Sequence, residues 1–358
     1  MSLAVTVLKN SAVLLLFLLF ISCGTKNKEY ANNVFPYSQF PQEKELKGEV
    51  IELDTALFRY PFRIRIEGDK AIVLDLHGSD YYGHLFQYPS FRYLSSFGRR
   101  GDSPLEMLSM ENFRLHNHTL WTLDANKSEL TRLDFSSSGD SLLREETVAL
   151  DEDILRPLDF AIYNDTTFVI PDYSGESRFL KVDCKGKLIE KIGTIPTTNK
   201  KALQEARPAL AQAWRSFLDY NSHNSVLATV TQLGEVVEIY NLKDSTHVIR
   251  VGEYDEPEFK VSDGYGIPTG IMGFSDVQVT DDAIYAVFHG TSFKDIARQS
   301  GRLPDGGKYI YVFSLKGEPL CKYVLDHYIY GIWVDEATKT IMATDVNNDQ
   351  PILKFNFG

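Results

Sequence analysis

The sequence predicts an all-β fold, a six-bladed β-propeller, on three observations. Phe and Tyr are abundant (22 and 19 of 358 residues) and short apolar stretches are punctuated by Asp, Asn, Gly and Ser, the texture of many short strands. One unit recurs about every 45 to 60 residues, opening each time on two strands joined by a tight polar turn. The last unit lacks one strand while a surplus strand precedes the first, so the two chain ends complement each other.

The six pairs are read in order. Phe62–Ile66 precedes Ala71–Asp75, Asn112–His116 precedes Leu120–Asp124, and Asp159–Tyr163 precedes Phe168–Asp172. Phe217–Tyr220 then precedes Leu227–Thr231, Ser275–Val279 precedes Ile284–Phe288, and Tyr330–Val334 precedes Ile341–Asp345. Two further strand-like runs follow each of the first five pairs, such as Arg178–Val182 with Leu188–Ile192, giving four-stranded blades. The sixth unit supplies only Ile352–Asn356, and the run Gly48–Asp54 is expected to fill the missing outer place and close the ring. Two stacked β-sandwiches also recur at turn-punctuated intervals; the matching deficit and surplus favour the propeller.

Ahead of the repeats, Lys9, the apolar run Ala12–Ile21 and Ser22-Cys23-Gly24 have the layout of a signal peptide over residues 1–22, too short for a permanent span. Phe20-Ile21-Ser22-Cys23 resembles a bacterial lipobox, with Phe20 where leucine is more usual; the resemblance implies diacylation of Cys23, which becomes the first mature residue. An ordinary secretory signal with an incidental cysteine, or an uncleaved anchor, is the alternative. Residues 23–44 are polar and read as a flexible tether, leaving 45–358 as one propeller domain. The expected location is the outer membrane, facing the periplasm or the cell surface.

Charge and cysteine content narrow the function. Net charge is −12, and −13 once Lys9 leaves with the leader, a surface that repels phosphate backbones and argues against nucleic acid. Cys184 and Cys321 fall in non-adjacent units, so two buried free thiols are expected rather than a disulfide.

Phe97-Gly-Arg-Arg-Gly101-Asp-Ser-Pro104-Leu-Glu106-Met107 is similar to the glycine-rich GxxGxGPxEF turn that ends a blade in the NHL and TolB-like six-bladed propeller families, with Asp102-Ser103 in the central step and Met107 in place of the aromatic. From Glu45 to Gly358 the chain resembles those families, in particular the TolB-like propeller lipoproteins common in Bacteroidetes. The resemblance implies an architecture and no specific activity. Physically the segment is a connector: Gly98 and Gly101 permit positive φ, Pro104 stiffens the turn, and Glu106 can accept from nearby amides.

Turns between first and second strands are short, so the long connections all emerge on the opposite face, where recognition tends to reside. Three stand out: Thr194–Arg215 with helix-prone Lys200–Ala206 and Ala209–Trp214, then Gly252–Gly273, then Gly290–Gly307. Aromatics beside carboxylates in Glu253–Phe259 and in His77–Gly83 lead to the expectation that Tyr81, Tyr82, Tyr254 and Phe259 form one surface for a peptide, protein or glycan. The leading functional reading is therefore a non-enzymatic binding or scaffold lipoprotein attached to the membrane by its lipid anchor.

The alternative is a metal-assisted hydrolase or lyase. Asp75, Asp124, Asp172 and Asp345 occupy equivalent strand ends, and a carboxylate ring with His77 and His289 would suit Ca²⁺ or a catalytic metal. Strand-end aspartates also accept from the amides of the following loop, a purely structural role. No HExxH, GxSxG, P-loop or dinucleotide fingerprint is present.

Overall fold

All six strand pairs are present in the computed structural model, which describes residues 31–54, 58–299 and 303–358. The leader and Cys23 lie outside the described residues. Asn33–Gly358 is one compact unit. Blades 1 to 3 are Pro61–Glu67, Lys70–Asp75, Tyr81–Gln87 and Arg92–Arg99; Met110–His116, Thr119–Asp124, Glu129–Phe135 and Leu142–Ala149; Ala161–Asn164, Thr167–Pro171, Phe179–Asp183 and Leu188–Ile192. Blades 4 and 5 are Ser216–Asn221, Val226–Thr231, Val236–Asn241 and Thr246–Val251; Phe274–Val279, Ala283–Phe288, Gly307–Ser314 and Pro319–Ile329. Blade 6 is Ile332–Asp335, Thr340–Thr344 and Ile352–Asn356, closed by the N-terminal Glu49–Ile51 pairing antiparallel with Ile352–Asn356. Contacts between successive first strands run around the ring and return from the sixth to the first.

Blades stack face to face, so both sides of an inner strand are covered and its sequence reads apolar throughout. Ala283–Phe288 is buried at all six positions, whereas the outer Leu188–Ile192 has none fully buried. Alternation divides the side chains between neighbours. Ala71 and Val73 pack with Met342 and Ile352 of blade 6, and Ile72 and Leu74 with Phe113 and Leu120 of blade 2. Tyr285 and Val287 likewise join Ile332 and Val334, while Ile284 and Ala286 join Val230 and Ile239. The core is thus a set of interblade layers.

Around the axis the layers give way to buried charge. Register shifts at Pro61/Arg63, Met110/Asn112 and Phe274/Asp276 turn Arg63, Asn112 and Asp276 into the interior. Asp276 of blade 5 takes Arg65 at 3.0 Å and Arg63 at 3.3 Å from blade 1, and the Ile332 amide of blade 6 at 2.9 Å. Asp159 does the same for the other half, accepting from Asn112 and Arg114 of blade 2 (both 2.7 Å) and from the Leu218 amide of blade 4 (3.0 Å). Each carboxylate ties three blades together. Burial alone would raise the Asp276 carboxyl; Arg63 and Arg65 hold it below the ordinary carboxylate range.

The tether read over residues 23–44 differs from the structure in its second half. Val34–Pro36 pairs parallel with the outer strand of blade 4, and Gln42–Leu46 parallel with that of blade 5. The chain then crosses to blade 6, so one strap lines three consecutive blades. Edge backbone selects such strands: Gln42–Leu46 buries only Leu46, and no apolar alternation announces it.

In the connector after blade 1, Gly98 has φ 65°, and the Ser103 amide donates to Glu106 Oε2 at 3.3 Å. A Cβ on Gly101 would stand 2.0 Å from that oxygen, so any larger residue there displaces the Glu106 side chain from its place in the turn. Cys184 and Cys321 are free; Cys321 is buried and Cys184 only half-buried, less enclosed than expected.

Candidate functional site

The three long connections each carry structure of their own. The first folds into two helices, α1 (Lys200–Glu205) and α2 (Arg207–Ala213). Asn199 caps α1 by accepting from the Ala202 amide at 3.0 Å, and Pro208 sits in the first turn of α2, where its missing N–H costs nothing. Leu210, Ala211 and Trp214 pack on Val236, Ile249 and Val251 of blade 4, which delivers Arg215 to the head of that blade. The second connection folds into a hairpin, Phe259–Ser262 with Tyr265–Pro268. It lies on α2: the Gly266 amide donates to Gln212 Oε1 at 3.0 Å, and a Cβ on Gly266 would meet the Ala209 carbonyl at 2.4 Å. The third holds helix α3 (Phe293–Gln299), with Ser292 Oγ accepting from the Asp295 amide at 3.0 Å.

Together they enclose one cavity of about 430 Å³. Its apolar wall includes Leu155, Leu158, Leu233, Tyr265, Met272 and Phe293; its polar groups are Arg156, Tyr173, Gln212, Arg215 and Gln232. Burial pushes the Tyr173 phenol up to about 12. The Ser216 amide faces that hydroxyl outside hydrogen-bond geometry, and the phenol's own proton has no acceptor. Arg215 meets Glu111 at 3.4 Å and lies 6.0 Å from the Phe217 ring centroid. An apolar pocket with a few convergent polar groups is the usual form of a ligand site.

The expected aromatic surface does not form in this way. Tyr82 is buried under Arg100, with its hydroxyl donating to the Leu108 carbonyl at 2.6 Å. Tyr81 is exposed on blade 1 and lines none of these cavities. Tyr254 borders a separate cavity of about 370 Å³ with Tyr37, Tyr311 and Glu235, and Phe259 a third of about 400 Å³ beside α1. The four aromatics thus stand at separate places instead of on one surface, while the three long connections meet at the cavity of about 430 Å³. Tyr265, Arg156, Tyr173 and Gln232 were missed because each enters from a different connection, with no spacing to link them.

The strand-end aspartates accept from backbone amides, Asp75 and Asp124 from the connection that enters their blade and Asp172 and Asp345 from the loop that follows them. Asp75 accepts from the Arg59 and Tyr60 amides (2.9 and 2.7 Å), Asp124 from Leu108 (2.7 Å), Asp172 from Ser174 and Ser177 (both 2.8 Å), and Asp345 from Asn347 (2.9 Å). His77 is exposed beside Tyr60, while burial pushes His289 down to about 4 and leaves its Nε2 without a partner. Asp75, Asp124, Asp172, Asp345, His77 and His289 are thus not gathered at one point: among the described residues no three His, Cys, Asp or Glu side chains form a metal-sized group.

The opposite face has a larger cavity of about 650 Å³, framed by the short turns. Some of its polar groups are paired, Asp281 with Asn221 at 2.9 Å and Glu336 with Tyr285 at 2.9 Å.

Residues 39–337 match the family model described as TolB-like 6-blade propeller-like. Comparison with curated proteins gives no match. Among solved structures, a protein described as exported, from Bacteroides fragilis, is 12% identical with a TM-score of 0.54, over 90% of this chain and 98% of its own. A DUF4221 family member from Bacteroides vulgatus is 10% identical, TM-score 0.53, over 87% and 97%. An auxiliary nutrient binding protein from Bacteroides ovatus is 10% identical, TM-score 0.52, over 84% and 69%. At these identities the likeness establishes the fold.

Proposed function

The chain belongs to the TolB-like six-blade propeller family, and we propose that within it this protein is a cell-envelope lipoprotein, anchored through Cys23, that binds a peptide, protein or glycan without transforming it. The observation that carries the reading is the convergence of all three inserted connections on one apolar cavity with unspent hydrogen-bond donors. The inserted connections are concentrated there, whereas the cavity of the opposite face is framed by tight turns. The nutrient-binding description of the Bacteroides ovatus relative agrees with this reading, as does the signal-peptide layout of residues 1–22.

The test is a peptide and glycan array probed with the full chain, purified in detergent. Ligands captured by the wild type are expected to bind at least about tenfold more weakly to a Tyr265→Ala/Phe293→Ala variant, a loss of about 1.4 kcal/mol, and to bind His223→Ala on the opposite face as they bind the wild type. Ligands insensitive to the cavity pair, or lost on His223→Ala, contradict the assignment.

A further inference from the structure

We infer, resting on the reading of this cavity as the ligand site, that its ligand presents a carboxylate beside an apolar body, and is the C-terminal end of a peptide whose last residue is large and apolar.

Charge is the first argument. Acidic residues outnumber basic ones 49 to 37 in the chain, yet no Asp or Glu lines the cavity, and its only charged lining residues are Arg156 and Arg215. In a protein of net charge −12 this is a local reversal of sign, and an anion is the ligand group it favours.

Unused donors are the second. Arg156 has neither a hydrogen bond nor an ion pair among the described residues, and its backbone sits at φ 48°, a left-handed conformation uncommon for a non-glycine residue and met at ligand clamps. Arg215 has the single 3.4 Å contact to Glu111, which leaves most of its five N–H groups free. The Tyr173 proton lacks an acceptor, and the side-chain carboxamide of Gln232 has no hydrogen bond among the described residues. The free guanidinium of Arg156, the unused N–H groups of Arg215 and the Tyr173 hydroxyl leave a surplus of donors at the cavity, and an ionised carboxylate, which only accepts, is the group that matches it.

The wall decides between sources of that carboxylate. A uronate sugar brings hydroxyls that must donate as well as accept, and the lining offers no carboxylate to receive them. Leu155, Leu233, Met272 and Phe293 instead offer apolar contact to a hydrocarbon side chain, with Tyr265 at the rim.

Binding of acetyl-Leu-Phe free acid, acetyl-Leu-Phe amide and digalacturonate to the full chain tests the inference. The free acid is expected to bind at least about tenfold tighter than the amide, with a preference that shrinks as salt rises and vanishes in Arg156→Gln/Arg215→Gln; the exposed single variant Arg156→Gln shows a partial loss without risk to folding. Equal affinity for acid and amide overturns the carboxylate; if Tyr265→Ala then weakens both, the cavity assignment survives that failure. Digalacturonate binding in preference to the peptide acid overturns the peptide, and binding of none of the three overturns the inference, leaving the cavity to be judged by the array.

Discussion

Replacing Asp276 with alanine is expected to lower the unfolding free energy by about 3–5 kcal/mol, the usual cost of removing one partner from a buried ion group. The carboxylate is 2% exposed and is shared by two guanidinium groups, Arg63 at 3.3 Å and Arg65 at 3.0 Å. Without it Arg65 keeps the Ile64 and Ile332 carbonyls, at 2.8 and 2.7 Å. Arg63 keeps the Phe62 carbonyl at 3.1 Å and the faces of the Phe62 and Phe217 rings, while its Nε and Nη2 make no hydrogen bond. Burial lowers the Arg63 guanidinium to about 10 even with Asp276 present, so a positive charge there is poorly tolerated once its counterion goes. Chemical denaturation reads the loss directly. Adding Arg63→Met to Asp276→Ala is expected to recover part of it, because an apolar side chain of similar reach does not strand a charge. Additive losses in the double variant would show that the pair is not coupled.

Cutting the chain to begin at Phe58 is the second large effect. It removes Glu49–Ile51 from the edge of blade 6 and the parallel strands Val34–Pro36 and Gln42–Leu46 from blades 4 and 5. Leu46 and Leu53 are buried and contribute about 2 kcal/mol each. Tyr37 adds a hydrogen bond to Glu235 at 2.9 Å and edge contact with Phe313. Beyond those terms the ring opens, uncovering the backbone edge of Ile352–Asn356. The expected result is loss of the cooperative folded monomer, seen as aggregation by light scattering. A chain starting at Gly48 retains ring closure and is expected to fold with a lower denaturation midpoint. Equal stability of both truncations would contradict the role given to Glu49–Ile51.

How much of this was legible follows from where the information lies. Strand pairs such as Lys70–Asp75 are apolar on both faces because two neighbouring blades cover them, and that pattern is local in sequence. The ring closure was legible too, since Ile352–Asn356 lacked a partner and Gly48–Asp54 offered one. Val34–Pro36 and Gln42–Leu46 were not, because a strand held by the edge of another needs no side-chain pattern of its own. The axial salt bridges join distant residues, Arg65 with Asp276 across 211 positions and Arg114 with Asp159 across 45, and the repeat alignment gives no hint of which arginine meets which aspartate. At the cavity, insertion lengths pointed to the face, while Arg156, Tyr173, Arg215 and Tyr265 come from separate connections and are brought together only by the ring.

Hydrogen exchange of the full chain, with and without a saturating array-derived ligand, tests the central claim most directly. The cavity assignment predicts slowed exchange at the amides of residues 154–158, 207–215 and 264–272, with the turns 221–225, 280–282 and 335–339 unchanged. Protection confined to those turns, or to the edge around Tyr81, would contradict it.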